Sequence, residues 1–99
     1  MEPEFEFDPT KSATNYDKHG IDFVEAKRLW TVTAFDQPSP FVHEPRHLRT
    51  GKLGYRLWTA VYTIRGAAVR LISVRRARPE EIARHDKDLG ERTGTDHKP

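Results

Sequence analysis

A chain of 99 residues without cysteine is long enough for one hydrophobic core and excludes a disulfide framework or a thiolate zinc site. The histidines His19, His43, His47, His85 and His97 lack metal-ligand spacing. No apolar run nears the roughly 18 residues of a membrane span, and the acidic start Met1–Glu2–Pro3–Glu4 is unlike a signal peptide, so a soluble, cytoplasmic protein without metal, cofactor or membrane contact is expected. The net charge of +2 conceals a segregation: four bases face eight acids in residues 1–43, nine face one in 44–78, and four face six in 79–99. Eight of the nine central bases are arginine, the side chain suited to bidentate phosphate contacts, which points to a polyanionic or acidic partner.

Phe5–Glu6–Phe7 alternates as a short strand does. Asp8 then supplies an N-cap and Pro9 the first helical residue, predicting a helix over Pro9–His19 that Gly20 ends in the left-handed conformation. Lys11, Asn15 and Lys18 share one face of it by spacing. Asp22 with Glu25 forms a capping-box pattern for a second helix, whose buried stripe is Phe23, Ala26, Leu29 and Trp30. Pro38, Pro40 and Pro45 make Thr31–Pro45 a loop, with room for a short edge strand. Arg46–Lys52 and Tyr55–Ile64 read as strands separated by Gly51 and Gly54. Arg65–Gly66 marks the turn into a further strand from Val69, and Pro79, Glu80 and Glu81 open a last helix ending by Gly90. Residues 1–90 are thus expected to form one domain and 91–99 a disordered polar tail.

The strand from Val69 runs aliphatics directly into Arg75, Arg76 and Arg78. A strict period of two sets Val69, Leu71, Ser73 and Arg75 on one face and Arg70, Ile72, Val74 and Arg76 on the other, with Ile72 and Val74 expected against the helical layer.

Two stretches resemble the BrnT-type toxins of type II toxin–antitoxin systems, within the RelE/ParE-like superfold. One is Phe5-x-Phe7-Asp8-x-x-Lys11-x-x-x-Asn15-x-x-Lys18-His19-Gly20-Ile21-x-Phe23-x-x-Ala26, the other Val61-Tyr62-Thr63-x-Arg65-Gly66-x-x-Val69-Arg70-Leu71-Ile72-Ser73-x-Arg75-Arg76-Ala77. The resemblance implies an α+β fold of order β-α-α-β-β-β-α, a twisted, mostly antiparallel sheet with helices largely on one side. It further implies a cytoplasmic endoribonuclease that inhibits translation and growth, and a BrnA-like antitoxin with a ribbon-helix-helix DNA-binding module as its partner. Other proteins on this scaffold are non-enzymatic gyrase poisons or inactive interaction modules, so the site has to carry the assignment.

RNA is cut without metal when its own 2′-hydroxyl attacks the adjacent phosphorus, leaving the enzyme to neutralise charge and move a proton. Arg65, Arg75 and Arg76 are candidates for stabilising the phosphorane, and His19, an imidazole inside the first motif, for proton transfer. Lys11, Lys18, Arg46 and Arg70 are candidates for holding RNA phosphates, and Tyr62 for stacking on a base or donating a proton. Ser73 lacks nucleophile-elbow glycines, which argues against a serine hydrolase.

Overall fold

Asp8 and Gly20 delimit the first helix as their chemistry requires. In a computed structural model describing residues 3–39 and 45–96, with side chains through Asp88, α1 spans Pro9–His19. The Asp8 carboxylate accepts from Thr10 N–H at 2.8 Å, and Gly20 sits at φ 80° with its N–H donated to the Tyr16 carbonyl. Only glycine adopts that backbone without strain. The middle of the proline-rich loop and the last residues of the expected tail lie outside the described residues.

Before α1 comes β1 (Glu4–Glu6), and after it α2 (Phe23–Ala26), continuing as a 3₁₀ turn over Lys27–Trp30. The Asp22 carboxylate caps α2 by accepting from Glu25 N–H at 2.8 Å. Four strands follow, β2 (Ala34–Pro38), β3 (His47–Leu53), β4 (Arg56–Arg65) and β5 (Ala68–Arg76), and then α3 (Pro79–Asp96). The sheet order is β1-β5-β4-β3-β2, antiparallel except for the parallel β1–β5 pair. The fold is α+β with a mostly antiparallel sheet, as the sequence implies. It adds one strand: Ala34–Pro38 forms the outer edge, where a closing proline removes no needed ladder bond. The last helix also runs past Gly90.

One face of the sheet carries the core. Trp58, Ala60 and Tyr62 of β4 stand beside Val69, Leu71 and Val74 of β5 and meet Ile21, Phe23, Ala26 and Leu29 from the helical layer. Gly51 of β3 lets the 3₁₀ turn settle onto the sheet, since a β-carbon there would come within 3.1 Å of the Leu29 side chain. The opposite face receives α3 at one end, where Thr59 of β4 donates its hydroxyl to Glu81. Two of the three helices therefore share a side, and the third crosses the other.

Strict alternation fails in β5. Tyr62 pairs with Leu71 but Val61 with Ser73, so Ile72 is an extra residue with no partner on β4. This bulge returns Val74 to the core, fully buried, and leaves Ile72 half-buried and outside the core cluster. Ile72 therefore does not pack into the helical layer as the period of two required. Arg76 stays with Val74 on the face of α1 and α2, whereas Arg70 leaves it and shares the other face with Ser73 and Arg75.

β1 pairs with β5 only through Arg70, and beyond that point the strand edge is finished by a side chain. Asn15, 7% exposed, donates its amide to the carbonyls of Val74 and Ile21 at 2.8 Å each and accepts from Val74 N–H at 3.1 Å. Its amide does for Val74 what a neighbouring strand would do. Asn15→Ala would strand three buried backbone groups, and a loss of about 3 kcal/mol in urea-denaturation stability is expected, each orphaned group costing roughly 1–3 kcal/mol before water relaxes in. An unchanged midpoint would mean that this edge is already wet.

Candidate nucleic-acid site

The α1–β5 seam held by Asn15 has a basic outer side. With Asn15 turned inward, its neighbours at helical spacing point to the open edge of β5, and together with the bulge they line a cleft of about 230 Å³. Lys11, Thr14, Asn15, Lys18 and His19 form the helix wall, and Ile72 and Ser73 the strand wall. No carboxylate lines it, and neither lysine has an ion pair among the described residues. The last turn of α1, which carries Lys18 and His19, is also the negative end of its dipole, which favours the Lys18 ammonium there without an acidic partner.

The bulge decides what else faces this edge. Without the extra residue Ser73 would share a face with Leu71, whereas here it shares one with Arg70. Arg70 is partly exposed and lies 3.6 Å from Glu6, a loose contact that leaves the guanidinium able to meet a second anion. Arg65 is exposed at the end of β4, across the register from Ala68, and on the same face. Arg46 is half-buried just before β3.

The remaining candidates go elsewhere. The Arg75 guanidinium makes a bidentate pair with Glu81, at 2.7 and 2.8 Å, and the carboxylate is 4% exposed. Glu81 also accepts from the Thr59 hydroxyl at 2.9 Å and from Arg78 N–H at 2.8 Å, while Thr59 bonds Thr50 at 2.8 Å. Burial alone would raise the Glu81 pKa, but the hydrogen bonds from Arg75, Arg78 N–H and Thr59 outweigh it and hold it down at about 2. Arg75 is thus the clasp between β5 and α3, not the freely splayed base that its place at a strand end suggests. Arg76 stands over the Trp58 ring at 5.9 Å, on the helix-covered face.

Tyr62 is core, 8% exposed, with its hydroxyl donated to Asp36 at 2.7 Å. Burial, then that carboxylate, push its pKa well above the ordinary phenol value, so it is not poised to give up a proton near neutral pH. His47 stacks on it with ring centroids 5.2 Å apart, and Trp30 meets it edge-on at 5.1 Å. Arg49 ties the group together, bonding Asp36 at 2.6 Å and the Leu29 carbonyl at 2.8 Å. No sequence pattern signals this cluster, because Asp36, His47 and Arg49 become neighbours of Tyr62 only through the β2–β3–β4 register. Ser73 was also missed as a cleft residue, since a bulge has no signature in an aliphatic run. No group of three or more His, Asp or Glu side chains is placed to hold a metal ion among the described residues.

Chemically, the cleft offers an imidazole, two ammonium groups and the hydroxyls of Thr14 and Ser73 around one basic hollow, with a guanidinium along the same strand. That set suits a phosphodiester. The sequence model of the ribonuclease toxin BrnT of type II toxin–antitoxin systems matches residues 7–81, which include the whole cleft, the bulge and the Arg75–Glu81 clasp. The chain belongs to the BrnT ribonuclease toxin family. No curated protein is similar enough to match it. A BrnT toxin acts as a ribonuclease and has an antitoxin as its partner, and these coarse attributes come with the family. No helix among the described residues of this BrnT chain is long and apolar enough to cross a membrane.

Proposed function

We propose that this BrnT toxin is a metal-independent endoribonuclease that cuts at the α1–β5 cleft, and that the resulting loss of RNA inhibits translation and growth in the cytoplasm. His19 accepts the proton of the attacking 2′-hydroxyl and returns it to the 5′-oxygen as the P–O5′ bond breaks, and Lys18 and Arg70 neutralise the charge that grows on the phosphorane. The Ser73 hydroxyl donates to a non-bridging oxygen, and Lys11 holds the next phosphate along the strand. Arg65 and Arg46 extend the basic track on the same side, as RNA-binding groups outside the reacting atoms. The cyclic phosphate and 5′-hydroxyl products need no external nucleophile, which is why cationic side chains can carry most of the chemistry.

What supports this reading above all is the acid-free lining of the cleft, with two lysines that have no ion pair among the described residues next to an imidazole. A surface whose cations served only solubility would interleave them with carboxylates, as Glu25 and Arg28 do on α2. Purified protein incubated with end-labelled RNA in EDTA is expected to yield fragments ending in 2′,3′-cyclic phosphate. Binding should weaken as salt rises, as phosphate contacts require. RNA left intact, free and on ribosomes, would reject the reading, and stalled DNA supercoiling alongside intact RNA would replace it with a gyrase poison.

A further inference from the structure

On the far flank of α1 from the basic cleft, a groove of about 420 Å³ opens between the helices and the β3–β4 hairpin. Its floor is apolar, made by Ile21, Leu53 and Trp58, and Tyr16 lies along its wall. Four large apolar side chains are more than half exposed among the described residues: Tyr16, at 58%, lines this groove, and Val24 at 58% and Tyr55 at 82% are sequence neighbours of residues that line it. Val24 lies on α2 between the groove residues Asp22 and Glu25, and Tyr55 follows Gly54 at the hairpin tip. Singly exposed apolar residues are ordinary, but a cluster around a concave apolar floor marks a surface that another protein covers.

The charges of the rim say what that protein presents. On the helix side the acids are already engaged: Asp22 caps α2, and Glu25 pairs with Arg28. On the hairpin side, Arg56 lies over Tyr55 at 5.6 Å and Arg76 over Trp58 at 5.9 Å, and neither has an ion pair among the described residues. Two guanidinium groups over aromatic rings, without an ion pair among the described residues, complement carboxylates on an incoming chain. Arginine and aromatic rings together beside a pocket are also the composition that interface hot spots favour.

We infer that this groove is where the antitoxin docks, through a segment that seats one or two large apolar side chains on Trp58 and Leu53 and sets acidic residues against Arg56 and Arg76. The inference rests on family membership, which supplies an antitoxin, and not on the catalytic assignment of the cleft. The antitoxin then grips the toxin beside the basic cleft without having to imitate RNA. Gly20, in the groove wall, directly follows His19 in the cleft wall, so a segment seated in the groove can reach across the end of α1. Affinity comes from the groove and inhibition from that short reach.

The test titrates full-length toxin variants with the purified antitoxin by calorimetry and measures RNA cleavage by the same variants alone. Val24→Asp and Arg56→Glu lie on exposed positions, so both are expected to fold, which a thermal melt verifies. Each is expected to weaken antitoxin binding at least tenfold and to leave RNA cleavage by the free toxin unchanged. Antitoxin binding that survives both substitutions but falls with Lys11→Ala and Lys18→Ala would overturn the inference and place the antitoxin on the cleft. Binding of labelled RNA that falls with Arg56→Glu would overturn it in favour of a second RNA surface, and loss of a toxin dimer in Val24→Asp in favour of self-association. A toxin that cuts no RNA would sink the catalytic reading while leaving the titration fully informative.

Discussion

Arg75→Ala is expected to destabilise the protein by about 3–5 kcal/mol, the usual cost of removing one partner from a buried ion pair. That is a large share of what a small domain has. The carboxylate of Glu81 would remain buried with the Thr59 hydroxyl and Arg78 N–H as its donors and no counter-charge. An arginine at the end of a strand, judged from its position alone, should be dispensable for folding. Arg65→Ala, at an exposed strand end, should indeed shift stability by no more than about 0.5 kcal/mol. Urea denaturation of the two variants side by side checks the contrast, and equal midpoints would show that the clasp adds nothing to the fold. Replacing both partners by apolar residues, Arg75→Met with Glu81→Leu, should recover part of the loss, because no charge is then left buried.

The same clasp sets an acid limit. The Glu81 carboxyl moves from an ordinary 4.5 to about 2 on folding, so the folded state prefers it ionised. A depressed carboxylate pKa stabilises fully above the unfolded value, and its contribution, about 3 kcal/mol, drains away as pH falls from about 4.5 towards 2. Glu81→Gln should flatten the stability profile in that window.

Local chemistry made most of the scaffold readable. Asp8, Gly20 and Asp22 act on backbone groups within a few residues, so the limits of α1 and the start of α2 can be read from the chain directly. The Phe23, Ala26, Leu29, Trp30 stripe was legible for the same reason: the first three are buried, and Trp30 is half-buried against the core. What the sequence hid depends on pairing between distant segments. The edge strand, for which the proline-rich loop leaves room, takes its bounds Ala34–Pro38 from the partner that β3 offers, since Ala34, Asp36 and Pro38 are poor strand formers. The bulge at Ile72 keeps Val74 under the helices and is not coded by any residue that sequence patterns flag. In the candidate site, Lys11, Lys18 and His19 could be grouped from helical spacing and sequence neighbourhood alone. That they face Ser73 rather than the arginines at the strand end follows from the bulge. Arg75 looks free in the sequence because its counter-charge lies on the next element, where Glu81 reads simply as an acid suited to a helix start.

His19→Ala is expected to lower RNA cleavage by roughly 10²- to 10⁴-fold, the range for losing a positioned general acid–base group, while leaving the fold intact. His19 is exposed at the last turn of α1, and its one structural contribution is to the helix dipole, worth about 0.3–1 kcal/mol at most for a charged imidazole. A thermal melt close to that of the native chain should therefore accompany the collapse in rate. Adding free imidazole should restore part of the activity, because a small base can enter the space the side chain leaves and take the same proton. Lys18→Ala in the same cleft should behave differently, weakening RNA binding and its salt dependence, with no response to imidazole. If His19→Ala cuts RNA as fast as the native toxin, proton transfer belongs to another group. Catalysis at this cleft would then reduce to what its lysines and Arg70 supply.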